Sequence, residues 1–518
     1  MLEASNTSLP HTANNADHRH KPVAGWNEHV RDHKQHAKEC YDTWVQAGKP
    51  QEGDIAEERR KSRLRYHHAV RYVKKKNNEL RNIKMGEAVA NNDDRCLWDE
   101  ARKMSKPSHR LPTMMDGKTD QMEIANIFTG KYRSLYNSVG YNEHNMNILR
   151  KEIETRIENG CTNKHAQHEH KHTITVKNVK DAVNMLKNDK KEENGLNTNH
   201  LKFGTDRLYV TITLLFNCML SHGIAPDELL LGTMIPLIKD SRGRKHCSDN
   251  YRALTIGTGL SKLLDVVIRN KQIDALKTSN LQFGFKTKSS TTMCTFAVLE
   301  TVEYYKKNGS NVHALLLDAS KAFDRVNYIK LFEKLLQKGM CPLTVRLLLN
   351  MYVEQKLQVK WNDILTDKFD VTNGVRQGGV LSPLFYSIYI DDLLERLKRN
   401  GIGCHIGHHF VGVFGYADDI ILLCPSVTGL MKMIRICEEY ANEHDILFNG
   451  KKSKYLVFGN NGRYKINHIV KVNNEVVNRC EKADHLGHPL HTENTTEALA
   501  EKGLNNLNAS FNSFTDLT

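Results

Sequence analysis

The sequence predicts an α+β fold whose C-terminal half contains a split βαβ-type antiparallel sheet. Two apolar segments and their order support this prediction. His313–Asp318 (HALLLD) is a short apolar run that ends in a carboxylate, and Val411–Ser426 (VGVFGYADDIILLCPS) contains two apolar runs around Ala-Asp-Asp. Short runs rich in Val, Ile and aromatic residues are typical of strands buried on both faces. From residue 313 the predicted order is strand, helices, hairpin, helix and strand, with the helices on one face.

Length and charge narrow the class of protein. The chain has 518 residues, a mass of 59.3 kDa, a net charge of +14 and a pI of about 9.1. A chain of this length should form about two to four domains. This net positive charge favours a polyanionic partner, and a nucleic acid is a better candidate than a membrane surface.

The cysteines and the apolar runs indicate an intracellular protein. Eleven cysteines occur without a CxxC pair, which predicts reduced thiols and excludes a disulfide scaffold or a zinc module. Residues 1–25 are polar and rich in His and Asn, so they predict a disordered tail and no signal peptide. No apolar run approaches the roughly 20 residues that a membrane helix needs.

Residues 26–172 predict a helical, linker-like N-terminal extension. Within it, the basic run Arg59–Lys76 (RRKSRLRYHHAVRYVKKK) is either a solvated helix face or a helix that binds nucleic acid. The segment Ile124–Tyr136 has apolar residues at helical spacing and predicts a core helix. The four histidines of Asn163–His172 lack cysteine partners, so we predict a loop rather than a metal site.

The middle of the chain predicts two helices, a strand and a third helix. VKNVKDAVNMLK and LYVTITLLFNCMLSHG are helical, and the second is apolar enough to be buried. Thr233–Asp240 (TMIPLIKD) predicts a strand. The segment from Asn250 predicts a helix with five aliphatic residues on one side, namely Leu260, Leu263, Leu264, Val267 and Ile268.

Helices and strands alternate after the predicted strand at residue 313. A helix contains Ile329, Phe332, Leu335 and Leu336, and a second begins at Pro383, which is suited to a first helical turn. The hairpin is followed by a helix at Thr428–His444 and by strands near Tyr455–Phe458 and Ile466–Val472.

The hairpin places Asp418 and Asp419 at its tip, because Asp favours turns. Two like charges in one place raise a carboxyl pKa. A divalent cation removes that penalty, and oxygen ligands suit Mg²⁺. The alternative is an exposed turn with two solvated carboxylates. If the strands are neighbours, Asp318 meets the hairpin tip, and three carboxylates then form a site for two cations, as in-line phosphoryl transfer requires.

Several motifs in a fixed order carry a resemblance to a known family. They are LDASKAFD, GVRQGGVLSPLFYSIYIDDL and YADD, together with IPLIKD…NYRALT, QFGF…SST (Gln282–Thr291), Asn449–Gly459 and HLGHPL (His485–Leu490). In this order and spacing the sequence resembles the reverse transcriptases of non-LTR (LINE-type) retrotransposons. The resemblance is strong from about 220 to 491 and weaker over 26–219, which resembles the segment joining endonuclease and polymerase.

The resemblance implies a right-hand polymerase fold with fingers at 173–310, a palm at 311–491 and a thumb remnant at 492–518. The implied activity is RNA-directed DNA polymerisation, with an RNA template, a DNA primer or nicked target DNA, and dNTPs. The implied cofactor is Mg²⁺, as two ions, with Mn²⁺ as an alternative. In a eukaryotic retroelement the implied location is the nucleus, the cytoplasm or both.

The resemblance also assigns metal ligands and groups that contact the nucleotide. Asp318, Asp418 and Asp419 correspond to the metal ligands, and Ala319 would add its backbone carbonyl. Phe323 corresponds to an aromatic steric gate that selects dNTP over rNTP, and the alternative is a core aromatic residue.

Basic and glycine-containing motifs complete the implied nucleotide site. Lys239 and Arg252 correspond to residues that bind the triphosphate, and Gln377 and Gly378 to a loop beside the incoming base, where glycine permits close backbone approach. Lys452 corresponds to a general acid for pyrophosphate, and Lys451 is an equally near candidate. Three further carboxylates are predicted to be structural, namely Asp324, Asp391 and Asp392.

The sequence departs from the family in three ways. The family's G-x-D-G-type stretch is replaced by NGLNTNHLK (Asn194–Lys202), so the resemblance does not extend to the template contacts of that stretch. The endonuclease and a CCHC knuckle are missing, and 27 residues follow His491. We therefore expect an incomplete copy, or a reading frame cut from a longer one.

Three alternatives remain. A group II intron-type reverse transcriptase shares YADD, but its second domain and maturase region are not visible. A catalytically weak or inactive remnant could bind nucleic acid through its basic surface alone. An RNA-dependent RNA polymerase is disfavoured by Phe323 and Ala417.

Overall fold

A computed structural model describes most of the chain, in two compact units. The described residues are 26–91, 93, 95–97, 99–100, 112–162, 173–188, 190, 197–240, 243–459, 469–493 and 497–505. Met1–Arg110 with Asn506–Thr518 forms one unit, and Leu111–Asn505 forms the other. The predicted tail at 1–25 and the histidine tract at 163–172 lie outside the described residues. The predicted domain limits at 172, 310 and 491 stay predictions.

The described part of the first unit is helical. Its helices are α1 (Trp26–His29), α2 (Arg31–Gln46), α3 (Asp54–Lys75) and α4 (Asn77–Ala90). Helix α3 contains the predicted basic helix and buries Ala56, Ser62 and Val73. The Arg59 guanidinium lies 3.8 Å from the centre of the Trp44 ring, so one cation of the basic run is used to hold α2 and α3 together.

The second unit combines helices and strands. Its helices are α5 (Gln121–Leu135), α6 (Glu143–Thr162), α7 (Val176–Met185), α8 (Thr198–Lys202), α9 (Asp206–His222), α10 (Asp227–Leu230), α11 (Gly259–Lys271), α12 (Thr291–Lys307), α13 (Tyr328–Gln337), α14 (Pro342–Val353), α15 (Ser382–Asn400) and α16 (Val427–Glu443). Short 3₁₀ turns lie at Ser248–Asn250 and Phe323–Arg325.

The strands of this unit are mostly short. They are β1 (Leu231–Ile238), β2 (Tyr251–Ile256), β3 (Val312–Leu317), β4 (Lys356–Trp361), β5 (Ile364–Leu365), β6 (Phe369–Asp370), β7 (His405–Ile406), β8 (His409–Phe410), β9 (Val413–Tyr416), β10 (Asp419–Cys424), β11 (Lys454–Phe458), β12 (Lys471–Val472), β13 (Glu475–Val476), β14 (Asn478–Arg479), β15 (Lys482–His485) and β16 (His488–His491).

One five-stranded sheet has the order β2-β1-β4-β5, with β6 also paired to β4. Strand β1 runs antiparallel to β2 and parallel to β4. Helix α5 covers this sheet, and its Phe128 ring lies 5.3 Å from Tyr251 and 5.1 Å from Trp361. The predicted helix from Asn250 is wrong at its start, because Tyr251–Ile256 forms β2 and the helix begins at Gly259. The alternating burial of β2 explains the strand.

The second sheet has the order β14-β11-β3-β10-β9 and is antiparallel except for the β11–β14 pair. The predicted strand at His313–Asp318 and the hairpin are confirmed as β3, β9 and β10. Leu315, Leu317 and Leu422 face a core that α13, α15 and α16 share. Ala314 and Ile421 face the opposite core, to which α12 contributes Val298. Helices α13, α15 and α16, which follow residue 313, therefore lie on one face as predicted, and α12, which precedes β3, covers the other face.

The described cysteines and helices fit two further expectations. The ten cysteines that the structure describes are all free thiols. Among the described residues, no helix combines the length and the apolar character that crossing a membrane requires.

Candidate active site

The β9–β10 hairpin positions two carboxylates at its tip. Tyr416 pairs with Asp419, so the turn consists of Ala417 and Asp418. Ala417 has a φ of +57°, in the left-handed region that non-glycine residues rarely adopt. A residue held there must be fixed by its surroundings, because the conformation itself is unfavourable.

A buried glutamine holds this turn, and the sequence motifs did not reveal its role. The Gln282 side-chain oxygen accepts the backbone N–H groups of Ala417, at 2.9 Å, and Gly284, at 2.8 Å. The N–H of Phe283 donates to the carbonyl of Gly415 at 2.7 Å. A Cβ on Gly284 would lie 2.5 Å from the Ala417 nitrogen. The QFGF motif therefore docks the carboxylate turn by direct backbone contact.

Asp318 follows strand β3 and lies next to the hairpin tip that carries Asp418 and Asp419. Leu317 of β3 pairs with Ile420 of β10, so continuing the antiparallel register by one residue sets Asp318 opposite Asp419. The Asp318 N–H donates to Ser453 Oγ at 3.1 Å, and its carbonyl accepts the Asn449 N–H at 2.9 Å. The segment between α16 and β11 thus fixes the backbone at Asp318.

The same segment also holds the residue that follows Asp318. Ala319, whose carbonyl is the fourth predicted metal ligand, pairs with Phe448 in an antiparallel bridge. The backbone around the predicted carbonyl ligand is therefore held on both sides.

The carboxyl groups of Asp418 and Asp419 both have raised pKa values, because they are buried and close to other negative charges. Burial first, and the charge of Asp318 second, raise the pKa of Asp418. Burial, then Asp418 and then Asp318, raise the pKa of Asp419 to about 6. A hard divalent cation bound to these oxygens would remove the repulsion, so the donor set fits Mg²⁺.

The three carboxylates do not close to metal-ligand spacing in this structure. Among the described residues, the group whose donor atoms all lie within 4.8 Å of one another is His36, Cys40 and Glu58, on α2 and α3. The Arg65 guanidinium lies 3.7 Å from a Glu58 oxygen and neutralises part of that carboxylate's charge. We assign no ion to this second group.

Phe323 lies in the 3₁₀ turn that follows Asp318. Its half-buried ring stacks on Tyr386, with ring centres 4.7 Å apart and an interplanar angle of 22°. Burial and the charge of Asp418 raise the pKa of Tyr386, so this ring pair adjoins the carboxylates. The position fits both alternatives, a ring beside a substrate sugar and a packing residue.

The two predicted triphosphate ligands lie at the end of the β1–β2 pair where a loop connects the two strands. Lys239 follows β1, and its ammonium donates to the carbonyl of Asp249 at 3.1 Å. Burial, and then Lys131 and Lys452, lower the pKa of Lys239. Arg252 pairs with Leu237 in the backbone register and has an exposed side chain. Several cations therefore converge near Lys239.

Gln377 and Gly378 form a loop against β2. The Gln377 carbonyl accepts the Thr255 N–H at 2.7 Å, and its side-chain amide donates to Asp324 Oδ1 at 2.7 Å. Gly378 has a φ of +110°, and a Cβ there would lie 2.8 Å from the Thr255 carbonyl oxygen. Glycine is required at this approach.

The structure separates the two lysine candidates for a general acid. The Lys451 ammonium lies 3.6 Å from Glu475, in an ion pair. Lys452 is exposed and lies close enough to Lys239 to lower its pKa. Lys452 is therefore the better placed of the two.

A cavity of about 510 Å³ begins beside Asp318, since Ser320 and Lys321 line it. Its wall also carries Lys131, Arg325 and Asp249, with four serine hydroxyls in all. Three cations and one carboxylate give it a net positive charge, which suits a phosphate group.

Asp391 and Asp392, which the sequence predicts to be structural, both bind groups of neighbouring elements. Asp391 is buried and accepts the Ser279 N–H at 3.0 Å and its hydroxyl at 2.7 Å. Asp392 forms an ion pair with Lys334. Both contacts tie α15 to neighbouring elements.

Known proteins match this region. Residues 239–490 match the family described as "Reverse transcriptase (RNA-dependent DNA polymerase)". An "RNA-directed DNA polymerase from mobile element jockey" of Drosophila funebris is 26% identical over 303 residues, covering 55% of this chain and 32% of that protein. A "Retrovirus-related Pol polyprotein from type-1 retrotransposable element R2" of Popillia japonica is 25% identical over 234 residues, covering 45% of this chain and 32% of that protein. The chain thus spans about a third of the length of these relatives.

One of the solved structures that match this chain shows low overall similarity. It is a truncated apo telomerase from Candida tropicalis, with a TM-score of 0.36 and 12% identity, covering 59% of this chain and 62% of that one. The motifs quoted from the sequence lie within or next to residues 239–490, so the family match supports the resemblance that they carry.

Proposed function

We propose that this chain, whose residues 239–490 form a reverse transcriptase domain of the kind found in non-LTR retrotransposons, is an RNA-directed DNA polymerase. It would extend a primer 3′-OH with dNTPs on an RNA template. The observation that carries the proposal is the register that sets Asp318 beside the Asp418–Asp419 turn within the matched region. The test is Mg²⁺-dependent extension of oligo(dT) on poly(A), and a purified, folded chain that adds no nucleotides would contradict it.

The two sheets correspond to parts of a right-hand polymerase in this proposal. The β14-β11-β3-β10-β9 sheet is the palm, because it carries all three aspartates. The sheet containing β1 and β2 belongs to the fingers, because it carries Lys239 and Arg252. The described residues 497–505 are helical and would belong to the thumb.

Asp318, Asp418, Asp419 and the Ala319 carbonyl would hold two Mg²⁺ ions, for which Mn²⁺ is an alternative. When bound, such ions activate the primer hydroxyl and stabilise the leaving pyrophosphate. The protein's own contribution is to hold its ligands at fixed places. The Gln282 contacts fix the hairpin turn, and the contacts of Asn449 and Ser453 fix Asp318.

The cationic groups beside the site would bind the phosphates. Lys239 and Arg252 would hold the triphosphate, and Lys452 would protonate the leaving pyrophosphate. The cavity that Lys131 and Lys321 line offers further positive charge on the same side. Since charge develops on the phosphate oxygens during transfer, cations at fixed places stabilise the transition state.

The other side of the site would contact the base and the sugar. Gln377 and Gly378 would pack beside the incoming base, and the Phe323 ring would lie under the sugar. The stacking of Phe323 on buried Tyr386 supports this role, because a supported ring yields little to a 2′-OH.

A non-catalytic nucleic-acid-binding role is the second candidate function. The exposed cations of helix α3 that make no ion pair among the described residues include Arg63, Arg71, Lys74 and Lys75. These charges would bind phosphates whether or not the polymerase site works. Both functions are compatible in one chain.

Replacing Gln282 by Ala should weaken polymerisation and stability together. The change leaves two buried N–H groups, on Ala417 and Gly284, without their acceptor, at a cost of about 2–4 kcal/mol. Melting curves and primer extension measure the two effects. Gln272→Ala is the matched control, since Gln272 also accepts a backbone N–H, from Cys341, but lies on another element. Equal activity losses in both variants would exclude a specific role in docking the turn.

Nucleic-acid affinity should fall steeply with salt. Each phosphate that a cation neutralises contributes roughly 0.7–0.9 to the slope of log affinity against log salt. Replacing Arg63, Arg71, Lys74 and Lys75 by Gln should therefore reduce the magnitude of the slope by up to about 3.6. Fluorescence anisotropy between roughly 50 and 200 mM salt measures this slope.

The matched control for the salt experiment uses paired cations of the same region. Lys61 and Lys76 lie 2.7 Å from Glu57 and Glu79, respectively. Replacing these two lysines by Gln should change the slope much less. An unchanged slope in the fourfold variant would identify the α3 surface as a solvated face.

A further inference from the structure

Tyr136 lies at the C-terminal end of α5, outside the residues that match the reverse transcriptase family. It is 1% exposed, and its hydroxyl donates to Asp324 Oδ1 at 2.8 Å. Its carbonyl accepts the backbone N–H groups of Thr372 and Asn373, at 3.0 and 3.2 Å. Both ends of Tyr136 therefore contact residues that adjoin the predicted nucleotide site, Asp324 next to Phe323 and the loop that leads to Gln377, although none of the motifs that carry the family resemblance includes Tyr136.

Asp324 connects Tyr136 to the loop beside the incoming base. The oxygen that accepts the Tyr136 hydroxyl also accepts the Gln377 amide at 2.7 Å. Asp324 is 5% exposed, and burial raises its pKa while these two hydrogen bonds lower it. A buried carboxylate needs its donors, so losing one donor changes the environment of the other.

Hydrogen bonds to the backbone also connect the turn at Phe323 and Asp324 with the loop at 373–375. The fully buried Asn373 donates its amide to the Asp324 carbonyl at 2.7 Å, and the Val375 N–H donates to the Phe323 carbonyl at 2.8 Å. Gly374 has a φ of +91°, and a Cβ there would lie 2.6 Å from the Asp324 carbonyl oxygen. The turn that carries Phe323 and the loop that leads to Gln377 are therefore packed without space between them.

We infer that Tyr136 is a positioning residue for nucleotide binding, which acts through Asp324 to orient the Gln377 amide and the turn that carries Phe323. The inference rests on the proposed polymerase function and extends it to a residue outside the matched domain. Without the hydroxyl, Asp324 keeps the Gln377 amide as its one side-chain donor within the part of the chain that the structure describes. The carboxylate and the amide can then rotate together, and the nucleotide pocket loses its fixed wall.

The test compares Tyr136→Phe with Tyr132→Phe. Tyr132 lies one turn earlier on α5, is buried, and its hydroxyl makes no hydrogen bond with any described residue. Both changes keep the ring, so packing is conserved. We expect Y136F to raise KM for dNTP about fivefold with kcat within about twofold of wild type, since the lost contact acts on substrate binding. Y132F should match wild type in both constants.

A double-mutant cycle with Gln377→Ala tests the route. If Tyr136 acts through the Gln377 amide, Y136F adds little to the KM of Q377A. Effects that multiply in the double variant would overturn the route through Gln377. A wild-type KM in Y136F would overturn the inference itself, as would a Y136F chain that fails to fold while Y132F folds, because the hydroxyl would then serve stability.

The activity of the wild-type chain distinguishes a failure of the proposed polymerase function from a failure of the role inferred for Tyr136. A folded wild-type chain that extends no primer refutes the polymerase function, and the inference with it. A wild-type chain that extends primers, beside a Y136F variant with unchanged constants, refutes the inference alone.

Discussion

Replacing Asp418 by Asn is expected to reduce primer extension at least roughly 100-fold, because changes in groups that only support metal ligands already cost 10–100-fold. Asn keeps the size of the side chain but loses the charge that a divalent cation requires. The Gln282 side chain binds the backbone of the turn and not the Asp418 side chain, so the fold of the hairpin should survive the substitution. Extension of oligo(dT) on poly(A) with Mg²⁺ measures the effect.

The same variant should be at least as stable as wild type without metal. The folded-state pKa of Asp418 lies above its ordinary value, so the folded chain holds its proton to higher pH than the unfolded chain does. Asp419, whose folded-state pKa is raised to about 6, acts in the same direction, so the contribution of these two carboxyl groups to the stability of the metal-free wild type falls as pH rises from about 4 to about 6. D418N should lose part of this dependence, and Mg²⁺ should raise its melting temperature less than that of wild type.

Asp363 offers a matched control for this experiment. It lies exposed between β4 and β5, at a hairpin turn remote in sequence from the three aspartates. Asp363→Asn should leave extension, the pH dependence of melting and the Mg²⁺ response unchanged. Wild-type extension by D418N would show that the assignment of the metal ligands is wrong.

Local sequence pattern predicted the elements that carry the carboxylates. The runs that became β3, β9 and β10 are apolar at nearly every position, which predicts strands buried on both faces. Burial on both faces also requires helices on both faces, as α12 now shows. The prediction covered only the elements after residue 313, and it therefore did not place α12, which precedes β3, on the second face.

Long-range contacts account for what the sequence did not reveal. Strand β2 was missed because its short alternating run precedes a strong helical pattern, and its pairing with β1 decides its structure. Gln282 and Tyr136 are ordinary polar residues in sequence. Their importance comes from long-range contacts, above all with Ala417 and Asp324, which are 135 and 188 residues away along the chain. No local pattern encodes such contacts.

Replacing Phe323 by Val is expected to raise the ratio of rNTP to dNTP incorporation roughly 10–100-fold, the range that a change in pocket size produces. The Phe323 ring follows Asp318 by five residues and stacks on Tyr386 beside the carboxylates. A smaller side chain opens space for a 2′-OH and removes neither a metal ligand nor a hydrogen bond. Activity with dNTP should therefore persist.

The competing account is that Phe323 only fills the core, and Phe332→Val distinguishes the two. Phe332 is a fully buried ring of α13, so its truncation should lower stability by about 2–4 kcal/mol without changing sugar selection. Phe323 is half-buried, so its truncation to Val should lower stability less than the truncation of Phe332 does. Single-nucleotide incorporation with dNTP and rNTP, beside melting curves, measures both variants. If F323V resembles F332V, with lower stability and an unchanged rNTP/dNTP ratio, then packing against Tyr386 is its whole role. A raised ratio in F323V alone assigns sugar selection to the ring, because Phe323, unlike the fully buried Phe332, is partly exposed and lies beside the predicted metal ligands.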